Sequence, residues 1–245
     1  MTAYLYYSHL LVSILRITTG YENSSDSFIP NSKNKPQTFL DSREPVDYSL
    51  SFSGLNENYC LGIVDMVDST KVSVFLDNAK LSKYFSIFLN SMASIVEIHG
   101  GIVIKNIGDS LLYYFPQSAK PKDDSGFVSC LECGLTMIEE RMNINSKLIN
   151  ENLPPLSYRI SADYGNVLLA RSPNSPCVDI FGPSVNICAK INKLANKNTI
   201  VIGGDFYQVV RKTDNYFFKN IGSYDSGFQR QYPIYEITRA QTYKQ

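Results

Sequence analysis

Two stretches decide the fold: Cys60-Leu61-Gly62-Ile63-Val64-Asp65-Met66-Val67-Asp68-Ser69-Thr70 and Gly100-Gly101-Ile102-Val103-Ile104-Lys105-Asn106-Ile107-Gly108-Asp109. Each carries an apolar, strand-like run to a carboxylate, Asp65 in the first and Asp109 in the second. Buried strands hold their end residues rigidly, and a charge at such an end needs a partner. Two converging carboxylates suit a hard divalent cation, Mg²⁺ above all, and protein-bound Mg²⁺ typically shares its coordination with phosphate.

Outward from these runs the texture stays regular. Tyr59–Met66 reads as a strand. Val72–His99 repeats apolar residues at helical spacing (Val74, Phe75, Leu81, Phe85, Phe88, Leu89, Met92, Ile95, Val96) and predicts one long helix. Ile102–Ile107 and Leu111–Phe115 form a hairpin around Gly108-Asp109. Pro116–Gly126 reads as a loop, and Phe127–Asn150 as a second long helix capped near Asp123, Asp124 and Ser125. Tyr158–Leu169 is a strand region interrupted at Gly165-Asn166, Ser184–Leu194 a helix, and Thr199–Ile202 a strand. Gly203-Gly204-Asp205-Phe206 is read as a turn, and Tyr216–Ile221 and Tyr232–Thr238 as the last strands. Long helices between strands and hairpins predict an α+β sandwich.

The bulk properties exclude several functions. Among 245 residues, Lys+Arg and Asp+Glu stand at 23 each, which removes the broad basic surface of a nucleic-acid binder. Five scattered cysteines do not form a disulfide framework, and the reducing cytoplasm is the expected compartment. Cys130-Leu131-Glu132-Cys133 has metal-ligand spacing but lies in a helical pattern without a second pair, so both cysteines are assigned to the core. With only His9 and His99, a Ser-His-Asp hydrolase or a His-rich zinc site is not expected. His99 precedes Gly100-Gly101 at a helix C-terminus, where partial positive charge is favourable. Residues 1–50 read as an extension: an apolar stretch, Ala3–Ile17, short of the about 20 residues a membrane span needs, then a Ser/Asn/Asp/Pro-rich linker. Residues 51–245 read as one folded domain.

In their order, these motifs resemble the catalytic domain of class III nucleotidyl cyclases, the adenylate and guanylate cyclase superfamily, from about residue 57 to 238. The resemblance implies a mainly antiparallel central sheet with flanking helices. It implies Asp65 and Asp109, with Met66 beside the first, as ligands for two Mg²⁺ or Mn²⁺ ions, and Ser69 and Thr70 as substrate contacts. Lys105, in Lys-x-x-Gly-Asp, and Asp179, seven residues before Asn186, match the family's adenine-reading pair. Adenine presents an acceptor at N1 and a donor at N6, which a lysine and an ionised aspartate complement. Asn186 matches the ribose-orienting Asn. Lys190 stands where the family has the Arg that stabilises charge on the α-phosphate; the charge survives and the bidentate fork does not.

Two further departures touch the phosphate end. Asp68 stands where the family often has Gly, and Ser226-Gly227 where it often has Lys-Gly, with Arg230 three residues on. The implied function is an adenylate cyclase making 3′,5′-cyclic AMP and pyrophosphate from ATP, with sites shared across a homodimer. The alternative is a cyclase-homology module that binds nucleotide and serves as a regulatory dimerisation domain. Gly203-Gly204-Asp205-Phe206 resembles the Gly-Gly-Asp-Glu-Phe signature of diguanylate cyclases but lacks its glutamate, and the sequence contains no P-loop.

Overall fold

The structure is a computed structural model that describes residues 50–119, 124–171, 178–225 and 231–240. The expectations for residues 1–49, for Asp123, and for Ser226, Gly227 and Arg230 lie outside the described residues.

Eight strands make one sheet: β1 (Ser51–Val67), β2 (Ile102–Ile107), β3 (Ser110–Phe115), β4 (Ser157–Arg171), β5 (Val178–Phe181), β6 (Ile200–Gly203), β7 (Tyr216–Asp225) and β8 (Gln231–Arg239). The order is β2-β3-β1-β4-β6-β8-β7, with β5 also on β4. Every pairing is antiparallel except β4 with β6. The helices are α1 (Ser69–Phe75), α2 (Asn78–Ile98), α3 (Ser125–Glu139), α4 (Arg141–Asn150), α5 (Pro183–Asn192) and α6 (Gly204–Val210). The expected α+β sandwich with a mainly antiparallel sheet is what the chain forms.

Alternation along β1 sorts the layers. Cys60, Val64 and Met66 face the larger core, where α2 contributes Tyr84, Phe88 and Met92 and α3 contributes Phe127, Leu131 and Met137. Leu61 and Ile63 face the other way, packing with Leu112, Val167, Ile180 and Cys188 of α5. Two buried polar contacts pin α5 to the sheet: Asn192 Nδ2 donates to the Ile63 carbonyl at 3.0 Å, and Ser161 Oγ donates to the Cys188 carbonyl at 2.9 Å. Asp65 shares the parity of Leu61 and Ile63, so it emerges on the α5 face.

Several boundaries differ from the sequence reading. The helix expected over Val72–His99 is two helices, because Asp77 breaks it and caps α2, accepting from Lys80 N at 2.9 Å. The helix expected over Phe127–Asn150 likewise divides at Glu140. Asp124 holds the N-cap position of α3 without a side-chain cap bond. Tyr158–Leu169 is not interrupted: β4 runs through Gly165-Asn166, paired with β1 on one edge and with β6, then β5, on the other. The turn expected at Gly203-Gly204-Asp205-Phe206 instead opens α6, which buries Phe206 in the larger core. His99 caps α2 with Nε2 3.0 Å from Thr136 Oγ1; burial lowers its pKa, which works against the positive charge that a helix C-terminus favours. Cys130 and Cys133 are buried in the core, as expected.

Candidate active site

The metal-type carboxylates come together at one end of the central strands. Asp65 lies opposite Ser110 of β3 and Arg159 of β4. Ser110 Oγ donates to Asp65 Oδ1, and Arg159 forks onto Oδ2 through Nε at 3.1 Å and Nη2 at 2.8 Å. The side chain of Asp65 is only 19% exposed. Asp109 follows Gly108, whose φ of +64° closes the β2–β3 turn in a conformation glycine adopts without strain. Burial raises the pKa of Asp109; the charge of Asp65 adds to this, and a hydrogen bond from Ser69 and the charge of Arg159 oppose it. Two carboxylates that repel each other are what a hard cation stabilises. Mg²⁺ commonly takes one or two protein carboxylates and completes its shell with water and substrate phosphate.

The other expected residues near this end divide. Met66 has its side chain buried in the larger core, so only its backbone carbonyl is available to a cation. Ser69 is engaged with Asp109. Thr70 is exposed in the first turn of α1. Asp68 has φ 61° and ψ 22°, left-handed geometry that accounts for glycine at this place in the family. Its carboxylate lies 2.7 Å from Lys197 Nζ and 2.8 Å from Lys71 Nζ, contacts that hold its pKa down to about 2. Its negative charge is therefore matched by two lysines.

The two residues expected to read the base meet. Lys105 Nζ lies 2.6 Å from Asp179 Oδ2, with both side chains about a quarter to a third exposed. A register shift between Val103 and Lys105 sets Lys105 opposite Leu112, on the α5 face. Asp179 is fixed by accepting from the backbone N–H of Ile180 at 2.8 Å, and the Phe181 ring backs the ammonium at 5.8 Å. Gly182, with φ +147°, turns the chain from β5 into α5; a Cβ there would meet the Asn166 carbonyl at 2.8 Å. Asn186 follows in the first turns of α5, exposed, and Lys190 in its last turn.

Sequence reasoning missed Arg159. Between Tyr158 and Ile160 it reads as the outward residue of an alternating strand; only the register Asp65↔Arg159 reveals its role. The signal, in retrospect, is a cation of the same parity as Ser161 at the start of a strand that pairs with the carboxylate strand.

Comparison with known proteins fits this arrangement. The adenylate and guanylate cyclase catalytic domain family model matches residues 54–231, and the chain belongs to that family. An adenylate cyclase of Streptomyces coelicolor is 24% identical over 159 residues, 65% of this chain and 36% of the relative. A cytidylate cyclase of Staphylococcus aureus is 24% identical over 196 residues, 74% of this chain and 46% of the relative. The chain thus spans less than half the length of these curated relatives. Among solved structures, the adenylyl cyclase CyaB from P. aeruginosa superposes with TM-score 0.69 at 18% identity, covering 77% of this chain and 97% of that one. The guanylyl cyclase Cya2 gives 0.69 at 20% identity, covering 78% and 97%. Among the described residues no helix is long and apolar enough to cross a membrane.

Proposed function

We propose that this chain is an adenylate cyclase, converting ATP to 3′,5′-cyclic AMP and pyrophosphate. The observation that carries the adenine reading is the Lys105–Asp179 pair at 2.6 Å: a donor beside an acceptor, the complement of the adenine edge. In guanylate cyclases of the family those places hold Glu and Cys.

Asp65 and Asp109, with the Met66 carbonyl, are the residues that would hold two divalent cations. When bound, such ions lower the pKa of the ribose 3′-hydroxyl and neutralise the triphosphate. In the reaction the 3′-oxygen bonds to the α-phosphorus while the bond from that phosphorus to the α–β bridging oxygen breaks, pyrophosphate leaves with that oxygen, and the hydroxyl proton passes to solvent. Arg159 orients Asp65 and adds positive charge beside both carboxylates. Asn186 orients the ribose, and Lys190 meets the charge developing on the α-phosphate. Ser69 steadies Asp109, and Thr70 is left exposed to contact the phosphates. A homodimer with two shared sites accommodates both residue sets on one chain. The cytoplasm is the compartment; the four described cysteines are unpaired and buried, which suits it. Residues 51–245 are the catalytic domain, and 1–50 its extension.

One observation favours the second reading, a nucleotide-binding module without turnover: Lys190 in place of the family's Arg.

The test is a swap of the pair. Lys105→Glu with Asp179→Cys is expected to raise the GTP-to-ATP ratio of kcat/KM by at least about tenfold, about 1.4 kcal/mol. An unchanged ratio in a folded, active double variant overturns the assignment.

A further inference from the structure

Lys190 does not stand alone. Its ammonium lies 5.1 Å from the centroid of the Tyr224 ring. Tyr224 is near the closed end of the β7–β8 hairpin, opposite Tyr232. It is half-buried, and with Ile187 of α5 it packs on the small cluster of Ile191, Ala195, Val201 and Ile234. The ring is thus anchored against the helix that carries Lys190, with that lysine's ammonium over it.

We infer that Tyr224 is a positioning residue: its ring holds the Lys190 ammonium in the orientation that serves the α-phosphate. This rests on the reading of Lys190 as the transition-state cation. A guanidinium arrives with a rigid, planar fork, whereas a lysine is a point charge on a flexible four-carbon stem. An aromatic face attracts a cation through its quadrupole and so narrows where that stem points. Orientation set before the chemical step acts on charge that appears only in the transition state, so its loss lowers kcat more than it raises KM.

The experiment uses the full chain and ATP with Mn²⁺, comparing wild type, Tyr224→Phe, Tyr224→Leu, Lys190→Ala and the double variant Lys190→Ala/Tyr224→Leu. Tyr224→Leu is expected to lower kcat about fourfold, about 0.8 kcal/mol at 1.36 kcal/mol per tenfold, with KM within about twofold. Tyr224→Phe keeps the ring and is expected to recover kcat to within about twofold of wild type. In the Lys190→Ala background, Tyr224→Leu should have no further effect. A second readout needs no turnover: in ¹³C-lysine-labelled protein, the Lys190 ε-methylene signal, identified by its loss in Lys190→Ala, should be shifted upfield by the ring in wild type and Tyr224→Phe but not in Tyr224→Leu. If Lys190→Ala keeps wild-type kcat, the reading of Lys190 itself fails. If Lys190→Ala is impaired while Tyr224→Leu is not, the Tyr224 inference alone fails. An equal loss from Tyr224→Leu in both backgrounds, or an unshifted Lys190 signal in wild type, also overturns it.

Discussion

Asp163 should make the stability of this protein fall as the pH rises from acid toward neutral, and Asp163→Asn should remove that dependence. The side chain is 1% exposed. It accepts from Tyr164 N at 2.9 Å and from the Tyr232 hydroxyl at 3.0 and 2.9 Å on its two oxygens, and the backbone of Phe206 adds a further donor. Tyr232 in turn accepts from Asp205 N at 2.9 Å. Each of the donors to Asp163 favours the carboxylate, yet burial outweighs them and lifts the pKa from 3.8 to about 7. Between those values the folded protein keeps a proton that the unfolded chain releases, so raising the pH favours unfolding. The stabilisation is complete below pH 3.8 and gone above about 7, a loss of about 4 kcal/mol at 1.36 kcal/mol per pH unit. Asparagine cannot titrate. It brings amide donors into a site already supplied with donors, a cost that does not vary with pH. The readout is therefore the difference in unfolding free energy between variant and wild type, followed from pH 5 to 8.5 by urea denaturation. The chain has no tryptophan, so far-UV circular dichroism is the probe. That difference should shift in favour of Asp163→Asn by about 3 kcal/mol between pH 5 and 8. A difference constant to within about 0.5 kcal/mol over this range would refute the reasoning.

Two other outcomes follow from the site. Asp109→Asn should abolish turnover and the rise in melting temperature that Mn²⁺ gives the wild type, without lowering the melting temperature in chelator, because burial and the charge of Asp65 both disfavour the Asp109 carboxylate; retained Mn²⁺ stabilisation counts against this ligand. Inactive Asp65→Asn protein mixed with inactive Lys105→Ala/Asp179→Ala protein should regain activity in a concentration-dependent way, since one site of the mixed dimer draws only on intact halves; failure to complement despite demonstrated subunit exchange rules out the shared site.

The parts of the molecule legible in the sequence are those where local pattern and chemistry coincide. Asp65 and Asp109 each follow an apolar run, and the Gly108-Asp109 turn forms as expected between β2 and β3. Lys105 and Asp179 are far apart in sequence, and only the resemblance to the cyclases paired them; the structure sets them in contact. What stayed hidden depends on register or on backbone conformation. Arg159 is one polar residue in an alternating strand until β1 and β4 align it with Asp65. In the sequence Asp68 is only a departure from the family's glycine; its left-handed backbone and the two lysines on its carboxylate are tertiary facts. The long helical patterns ran through Asp77 and Glu140 because apolar spacing persists across both breaks. The Asp77 break had a local signal, an aspartate placed to cap the amide three residues on. Tyr224 became visible only when the β7–β8 hairpin folded back on α5.

The most direct measurement of the central claim is the product formed by the purified chain from an equimolar mixture of ATP, GTP, CTP and UTP with Mn²⁺, resolved by mass spectrometry. The Lys105–Asp179 pair and the Asp65/Asp109 carboxylates predict 3′,5′-cyclic AMP as the dominant product, absent when Asp65 is replaced by Asn. Dominant cyclic CMP or cyclic GMP, or no cyclic nucleotide from protein that demonstrably binds ATP, would contradict it.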